Sequence, residues 1–216
     1  SAAGYVEVQN NITNNGTLDV LSDGSLVQIN DAAVNTGNIN YNRTATIKRL
    51  DYVYWSSPVA GFASSAISAG TPLGFQYKWL PTTVTGQLSN YGNWTYANET
   101  MALGKGYIVR GPNSYSTTAF APFTATFTGV PNNGVISIPI SRSTYNAGNY
   151  TYVNGSGSTV LVTIEDDNWN LVGNPYPSAI DAIDFLTLNT NIDGFVNIWT
   201  HGTSPSNAIP DPFYND

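Results

Sequence analysis

The sequence contains no cysteine, which excludes disulfide bridges, thiol nucleophiles and cysteine-ligated zinc. It contains one histidine, so metal sites that need several imidazole ligands are also excluded. No apolar run approaches the roughly 18 to 20 residues that a transmembrane helix requires, and we therefore predict no membrane span.

Charged residues are scarce and predominantly acidic. They make up 10% of the 216 residues, with 14 acids against 7 bases, and the formal net charge is −7. The basic residues are scattered, and Lys48 and Arg49 form the only adjacent pair. Because phosphate neutralisation needs clustered lysines and arginines, we predict no nucleic-acid partner.

Apolar residues make up 41% of the chain and aromatic residues 12%, enough to bury a substantial core. The polar residues are mainly asparagine, threonine, serine and glycine, which dissolve the protein through amides and hydroxyls rather than charges. This composition is typical of extracellular β-proteins of bacterial surface type.

The first 43 residues carry a degenerate repeat of the form Gly-x-apolar-x-apolar, with units beginning at Gly4, Gly16 and Gly37 and a slipped unit at Gly24. Each unit predicts one short strand. Such strands, separated by glycine-containing corners, are compatible either with rungs of a small parallel β-solenoid or with consecutive hairpins. As a solenoid, this region would form the last rungs of a longer stalk.

From residue 44 to residue 216 the pattern changes to longer alternating runs with bulky aromatics, which predicts an antiparallel, jelly-roll-like β-sandwich. We expect this module to be truncated at its C-terminal end. Strands are predicted over residues 44–54, 106–110, 124–128, 135–140 and 158–164. The sequence PNNG at residues 131–134 predicts a hairpin between the third and fourth of these, because Asn-Gly tolerates positive φ.

One short helix is predicted in this otherwise all-β chain. Ser178 is its expected N-cap, Asp181 completes a pair similar to a capping box, and apolar residues follow at threefold spacing. The helix is predicted to end near Asn189.

The segment WNLVGNPYPSAID at residues 169–181 closely resembles a motif of large surface proteins that Bacteroidota export through the type IX secretion system. Other segments fit in order, among them YWSSPV at 54–59, GKGYIVR at 104–110 and IWTH at 198–201, and the resemblance covers roughly residues 4–205. It implies a β-rich module near the C-terminal end of a long exported chain, located extracellularly on the cell surface and associated with the outer membrane. Its implied partners are secretion components and neighbouring domains of the same chain.

The resemblance implies location better than activity, since proteins that share the module include gliding-motility adhesins and secreted enzymes. No nucleophile elbow surrounds any serine, and His201 is expected to be a hydrogen-bonded loop residue. The glutamates Glu7, Glu99 and Glu165 have no glycosidase signature around them. We therefore predict a chain that is not an enzyme.

Calcium is the one metal ion left open, since hard cations need several converging oxygen ligands. The candidate ligands are four carboxylates, Asp166, Asp167, Asp181 and Asp184. The competing interpretation makes residues 165–168 a solvated turn and Asp181 a helix cap.

Five aromatic residues cluster within twenty positions rich in glycine, asparagine and threonine: Tyr77, Trp79, Tyr91, Trp94 and Tyr96. Exposed aromatic rings stack on pyranose rings, and amide side chains bind their hydroxyls. Packing within the core is the alternative role for the same residues. Exposure of these rings decides between the two.

Together these observations predict a non-catalytic adhesive or structural module of a secreted cell-surface protein, with extracellular polysaccharide or another surface as partner. The alternative is a carbohydrate-binding accessory module of a secreted polysaccharide-degrading enzyme. A third interpretation is that the region matters as cargo of the secretion system.

Overall fold

The computed structural model describes residues 4–82, 92–142, 150–153, 157–162, 169–192 and 196. Within these residues the fold is all-β, as predicted, with one α-helix and two short 3₁₀ turns at Ser64–Ala66 and Leu73–Phe75. The elements are β1 (Gly4–Val8), β2 (Asp19–Val20), β3 (Gly24–Gln28), β4 (Ile39–Ile47), β5 (Tyr52–Trp55), β6 (Gln76–Leu80), β7 (Asn93–Tyr96), β8 (Tyr107–Arg110), β9 (Ala121–Gly129), β10 (Tyr150–Val153), β11 (Thr159–Val162) and α1 (Ala182–Leu188).

The N-terminal repeat units stack as parallel strands. Strand β1 pairs in parallel with β3, β2 pairs in parallel with β4, and an isolated parallel bridge joins Thr13 to Thr36. Hairpins would give antiparallel neighbours, so this pairing favours the solenoid interpretation. Side chains continue the stacking, because Asn30 Nδ2 donates to Asn10 Oδ1 at 3.1 Å.

Strand β4 joins this stack to the rest of the chain. It pairs along its whole length with β9 in antiparallel register, from Ile39 opposite Gly129 to Ile47 opposite Ala121. The resulting sheet has the order β2-β4-β9. Because β4 runs through residue 43, the repeats and the following module share one sheet.

A second, antiparallel sheet has the order β5-β8-β6-β7 and packs against β9 through aromatic rings. Trp55 lies 6.0 Å from Phe123 and 6.1 Å from Phe127 between ring centroids, and Phe62 lies 4.7 Å from Phe127. Tyr107, which is fully buried, belongs to the same core. The two sheets therefore enclose a sandwich-like core.

The predicted strands at 106–110 and 158–164 are confirmed as β8 and β11. The predicted run 44–54 forms the second half of β4 and then β5, with a turn between them. Asp51 closes this turn by accepting a hydrogen bond from the Lys48 amide at 2.8 Å.

The predicted hairpin at 131–134 is wrong. Gly134 has the expected positive φ of 77°, but residues 135–140 form no strand and β9 pairs with β4 instead. The asparagine side chains of the turn bind distant backbone, since Asn132 Nδ2 donates to Pro175 O at 2.8 Å and Asn133 Nδ2 donates to Asn30 O at 2.9 Å. These long-range bonds hold the turn in place without a paired second strand.

The predicted helix exists but begins later than expected. Asp181, not Ser178, is the N-cap, and its Oδ1 accepts hydrogen bonds from the amides of Ile183 and Asp184 at 2.7 and 3.1 Å. A carboxylate accepts two amide donors at a helix start as well as a hydroxyl does, and it also favours the positive end of the helix dipole. The predicted end near Asn189 agrees with its position as C-cap.

Candidate functional site

Four of the five aromatic residues singled out in the sequence lie on one face of the second sheet. Strands β6 and β7 place Tyr77 opposite Tyr96 and Trp79 opposite Trp94. Because side chains two residues apart on a strand share a face, all four rings project to the same side. The fifth, Tyr91, lies outside the described residues.

Strands β5 and β8 extend this side of the sheet. Ile108 of β8 lies opposite both Tyr54 and Tyr77, and Arg110 lies opposite Tyr52. The aromatic face is therefore formed by six rings from three strands: Tyr52, Tyr54, Tyr77, Trp79, Trp94 and Tyr96.

Neighbouring rings of the aromatic face contact one another. Tyr77 and Tyr96 are stacked with centroids 5.2 Å apart and planes 27° apart, whereas Trp79 and Trp94 meet edge to face at 5.3 Å. The ring centroids of Tyr54 and Trp94 lie 6.3 Å apart, although strands β8 and β6 separate β5 from β7 in the sheet. The rings therefore form a continuous, mutually supported surface.

The two sides of the sheet differ in burial, although Ile108 and Arg110 on the aromatic side are also buried. The opposite side carries the core residues Gln76, Tyr107 and Val109, which are 0%, 0% and 2% exposed. On the aromatic face Tyr96 is 68% exposed, and the other five rings are half-buried. Tyr96 is thus open to a ligand, whereas the half-buried rings are compatible both with packing against one another and with ligand contact.

Trp79 is fixed at one end of the aromatic face. Its indole Nε1 donates to Trp169 O at 2.9 Å, and a Cβ on Gly92 would come within 2.5 Å of its ring. A cavity of about 70 Å³ lies beside Trp79, between residues 138–141 and 170–172. Pockets that enclose a drug-sized ligand hold about 300 to 1,000 Å³, so this cavity is too small to enclose such a ligand.

The hydroxyls of Tyr52 and Tyr77 stay protonated at physiological pH, because burial raises the pKa of both. Burial raises the pKa of Tyr52 far above its usual range, and the neighbouring Tyr77 hydroxyl adds to this effect. Burial likewise raises the pKa of Tyr77, whose hydroxyl donates to Gly74 O at 2.7 Å. Neutral phenols both donate and accept hydrogen bonds, which suits a ligand rich in hydroxyls.

Arg110 lies at the other end of the aromatic face. Its guanidinium stacks on the Phe75 ring, 3.6 Å from the centroid, and donates to Asn113 Oδ1. The residue is 7% exposed, and its Nε has no hydrogen-bond partner. Burial lowers the pKa of Arg110, although a guanidinium remains charged in proteins.

A carboxylate near the same sheet, Glu99, is held in its ionised form. Burial alone would raise its pKa, but hydrogen bonds from Lys78 and from Tyr107 Oη, the latter at 2.9 Å, outweigh burial and lower it. A general acid needs a raised pKa, so this environment suits a structural ion pair.

A protein family described as a domain of unknown function, DUF8693, matches residues 1–216. The chain belongs to this family. Neither a curated protein nor a solved structure matches it. The function of this DUF8693 chain therefore has to be inferred from its own residues.

Two of the four carboxylates proposed as calcium ligands, Asp181 and Asp184, belong to the described part of the chain. Asp181 caps α1 and Asp184 lies in its first turn. Among the residues described, no group of three or more acidic or histidine side chains could hold a metal ion. Asp166, Asp167 and His201 lie outside the described residues.

Four residues at the aromatic face were not predicted from the sequence: Tyr52, Tyr54, Phe75 and Arg110. The first two follow the same aromatic-x-aromatic spacing as Tyr77 with Trp79, and this spacing was the available signal.

No helix in the described ranges combines the length and apolar character needed to cross a bilayer.

Proposed function

We propose that this chain is a non-catalytic, adhesive module of an exported surface protein and that its aromatic face binds extracellular polysaccharide. The observation that supports this function is the placement of six aromatic rings on the outer side of one rigid sheet. Contiguous apolar surface of this kind generally marks an interaction site on a protein.

The geometry suits a sugar chain for three physical reasons. Tyrosine and tryptophan offer broad apolar faces for the C–H side of a pyranose ring, together with polar edges for its hydroxyls. Ring-to-ring contacts hold these side chains before any ligand arrives, so little conformational freedom is lost on binding. Strands position side chains more rigidly than loops do.

The proposed location depends on the resemblance of residues 169–181 to the motif of type IX secretion cargo. The module is therefore proposed to lie on the cell surface of a bacterium, where it would meet extracellular polysaccharide. An accessory module of a secreted polysaccharide-degrading enzyme would use the aromatic face in the same way, with the chemistry supplied by another domain.

Tyr96 provides the sharpest test, because the chain offers a matched control. Tyr96 in β7 is 68% exposed and Tyr5 in β1 is 72% exposed, so both tyrosines are exposed strand residues but only Tyr96 belongs to the aromatic face. The purified chain and its Tyr96→Ala and Tyr5→Ala variants would be screened by affinity electrophoresis against soluble neutral and acidic polysaccharides.

We expect the unmodified chain and Tyr5→Ala to be retarded equally by at least one polysaccharide. Tyr96→Ala should bind about 2- to 10-fold more weakly, because one aromatic contact contributes about 0.5 to 1.5 kcal/mol. Circular dichroism would verify that both variants are folded. Absence of binding across the panel, or equal loss in both variants, would refute the proposal.

A further inference from the structure

Arg110 is a buried cation without an anionic partner. No carboxylate among the described residues pairs with it, and its one side-chain hydrogen bond goes to the neutral amide of Asn113. Its Nε is buried and unbonded. Stacking on the Phe75 ring offsets part of the cost of desolvating this charge but supplies no counter-charge.

A second guanidinium lies beside the first. The Nε of Arg49 is also buried without a hydrogen-bond partner among the described residues. The backbones approach closely here, since a Cβ on Gly111 would lie 2.3 Å from Lys48 O and 3.1 Å from Arg49 Cα. Repulsion from Arg49 contributes to the lowered pKa of Arg110. Two like charges held together favour an anion between them or next to them.

The Arg110 side chain is hydrogen-bonded to an exposed residue although Arg110 itself is buried. Asn113, which accepts its hydrogen bond, is exposed, and Tyr52 lies opposite Arg110 in the sheet register. The cation therefore lies where the aromatic face ends, within reach of a ligand lying across the tyrosines.

We infer that Arg110, assisted by Arg49, binds the carboxylate or sulfate group of an acidic polysaccharide whose sugar rings lie on the aromatic face. This inference rests on the proposed function and narrows its ligand to anionic polymers. Guanidinium groups bind planar carboxylates and sulfate-type oxyanions through paired, charge-assisted hydrogen bonds.

The test compares polygalacturonate, dextran sulfate and a neutral β-glucan as probes, using isothermal titration with the whole chain. Variants are Arg110→Gln and Arg49→Gln, and Arg142→Gln is the control because Arg142 is an exposed arginine outside the strands of the aromatic face. We expect Arg110→Gln to weaken binding of an acidic probe about 10- to 100-fold while Arg142→Gln leaves it unchanged. Whichever acidic probe binds distinguishes carboxylate from sulfate recognition.

Arg49→Gln keeps the test informative if Arg110→Gln does not fold, and it should weaken the same probe several-fold. Equal affinity of Arg110→Gln and the unmodified chain for the acidic probes would overturn the inference, as would equal loss for acidic and neutral probes. Binding of the neutral glucan alone, weakened in Tyr96→Ala, would overturn the anion site yet support the proposed function. Binding of none of the probes would count against both.

Discussion

Replacing Gly37 with alanine should separate stacked rungs from independent strands in the N-terminal repeat. Gly37 has a φ of +80°, and a Cβ there would lie 1.9 Å from Asn14 O on the preceding rung. Asn14 has little freedom to move away, because its amide donates to Thr36 O at 2.9 Å and its Nδ2 to Asn38 O at 2.6 Å. The backbones of the two rungs would therefore have to separate.

The magnitude follows from two additive effects. An alanine at positive φ costs about 1 to 2 kcal/mol, and forcing backbone apart in a packed region adds about 1 to 3 kcal/mol. We therefore expect Gly37→Ala to lower the free energy of unfolding by about 2 to 5 kcal/mol. Gly61 is the matched control: it has a φ of +70° with nothing within 4 Å of a built Cβ, so Gly61→Ala should lose only the first amount.

The assay is equilibrium unfolding in urea, followed by the fluorescence of the five tryptophans. Both variants change one glycine at positive φ, so the difference between them isolates the contact between rungs. Equal destabilisation by Gly37→Ala and Gly61→Ala would refute the parallel stacking of residue 14 on residue 37.

Two further predictions concern ionisable groups. Hydrogen bonds from Lys78 and Tyr107 lower the folded-state pKa of Glu99. The contribution of Glu99 to stability is therefore present above the unfolded pKa of 4.5 and is lost as the pH falls through the folded pKa. Urea midpoints measured from about pH 7 to pH 3 should fall further for the unmodified chain than for Glu99→Gln. Removing the helix cap by Asp181→Ala should cost about 1 kcal/mol in thermal melts, whereas Ser178→Ala should cost little, and the reverse ranking would contradict the capping assignment.

The repeat illustrates how much of the fold the sequence predicts. Adjacent units have uneven spacings, which made the repeat look degenerate, but every second unit recurs after about 20 residues and pairs in parallel: Gly4 lies opposite Gly24, and Asp19 opposite Asn40. Counting two units as one rung therefore reveals the repeat period of about 20 residues. Alternation could not reveal it, because parallel and antiparallel strands share the same two-residue period.

The turn at 131–134 shows why a strong local signal can fail. Asn-Gly specifies positive φ at Gly134, and the structure has it. Whether such a turn connects paired strands depends on partners far away in the chain. Here the Asn133 amide binds Asn30, more than a hundred residues earlier, and local sequence does not encode that contact.

The aromatic face was predictable in part. The sequence identified Tyr77, Trp79, Trp94 and Tyr96 but left core packing and ligand contact as alternatives, because alternation shows that residues share a side without showing which side is buried. Adding the β5 tyrosines required the strand order, since β8 and β6 separate β5 from β7. The isolation of Arg110 is a tertiary property with no signature in the sequence.

In the structure, the motif at residues 169–181 connects the N-terminal repeat to the turn that follows β9. The amide of Leu26 in β3 donates to Pro177 O at 2.7 Å, and Tyr176 Oη donates to Gly134 O at 2.6 Å. The Asn132 side chain donates to Pro175 O, so this segment connects the second rung to the turn that follows β9.

Proline suits such a connection, because it fixes an extended backbone and offers a carbonyl while its own missing N–H needs no partner. A motif with this role constrains how the repeats join the sandwich, and it meets the aromatic face at Trp79, whose indole Nε1 donates to Trp169 O. Proteins that share the motif could thus keep this scaffold while the remaining side chains of the outer sheet face differ. A shared motif of this kind favours a shared architecture more directly than a shared ligand, and ligand recognition has to be argued from the aromatic face itself.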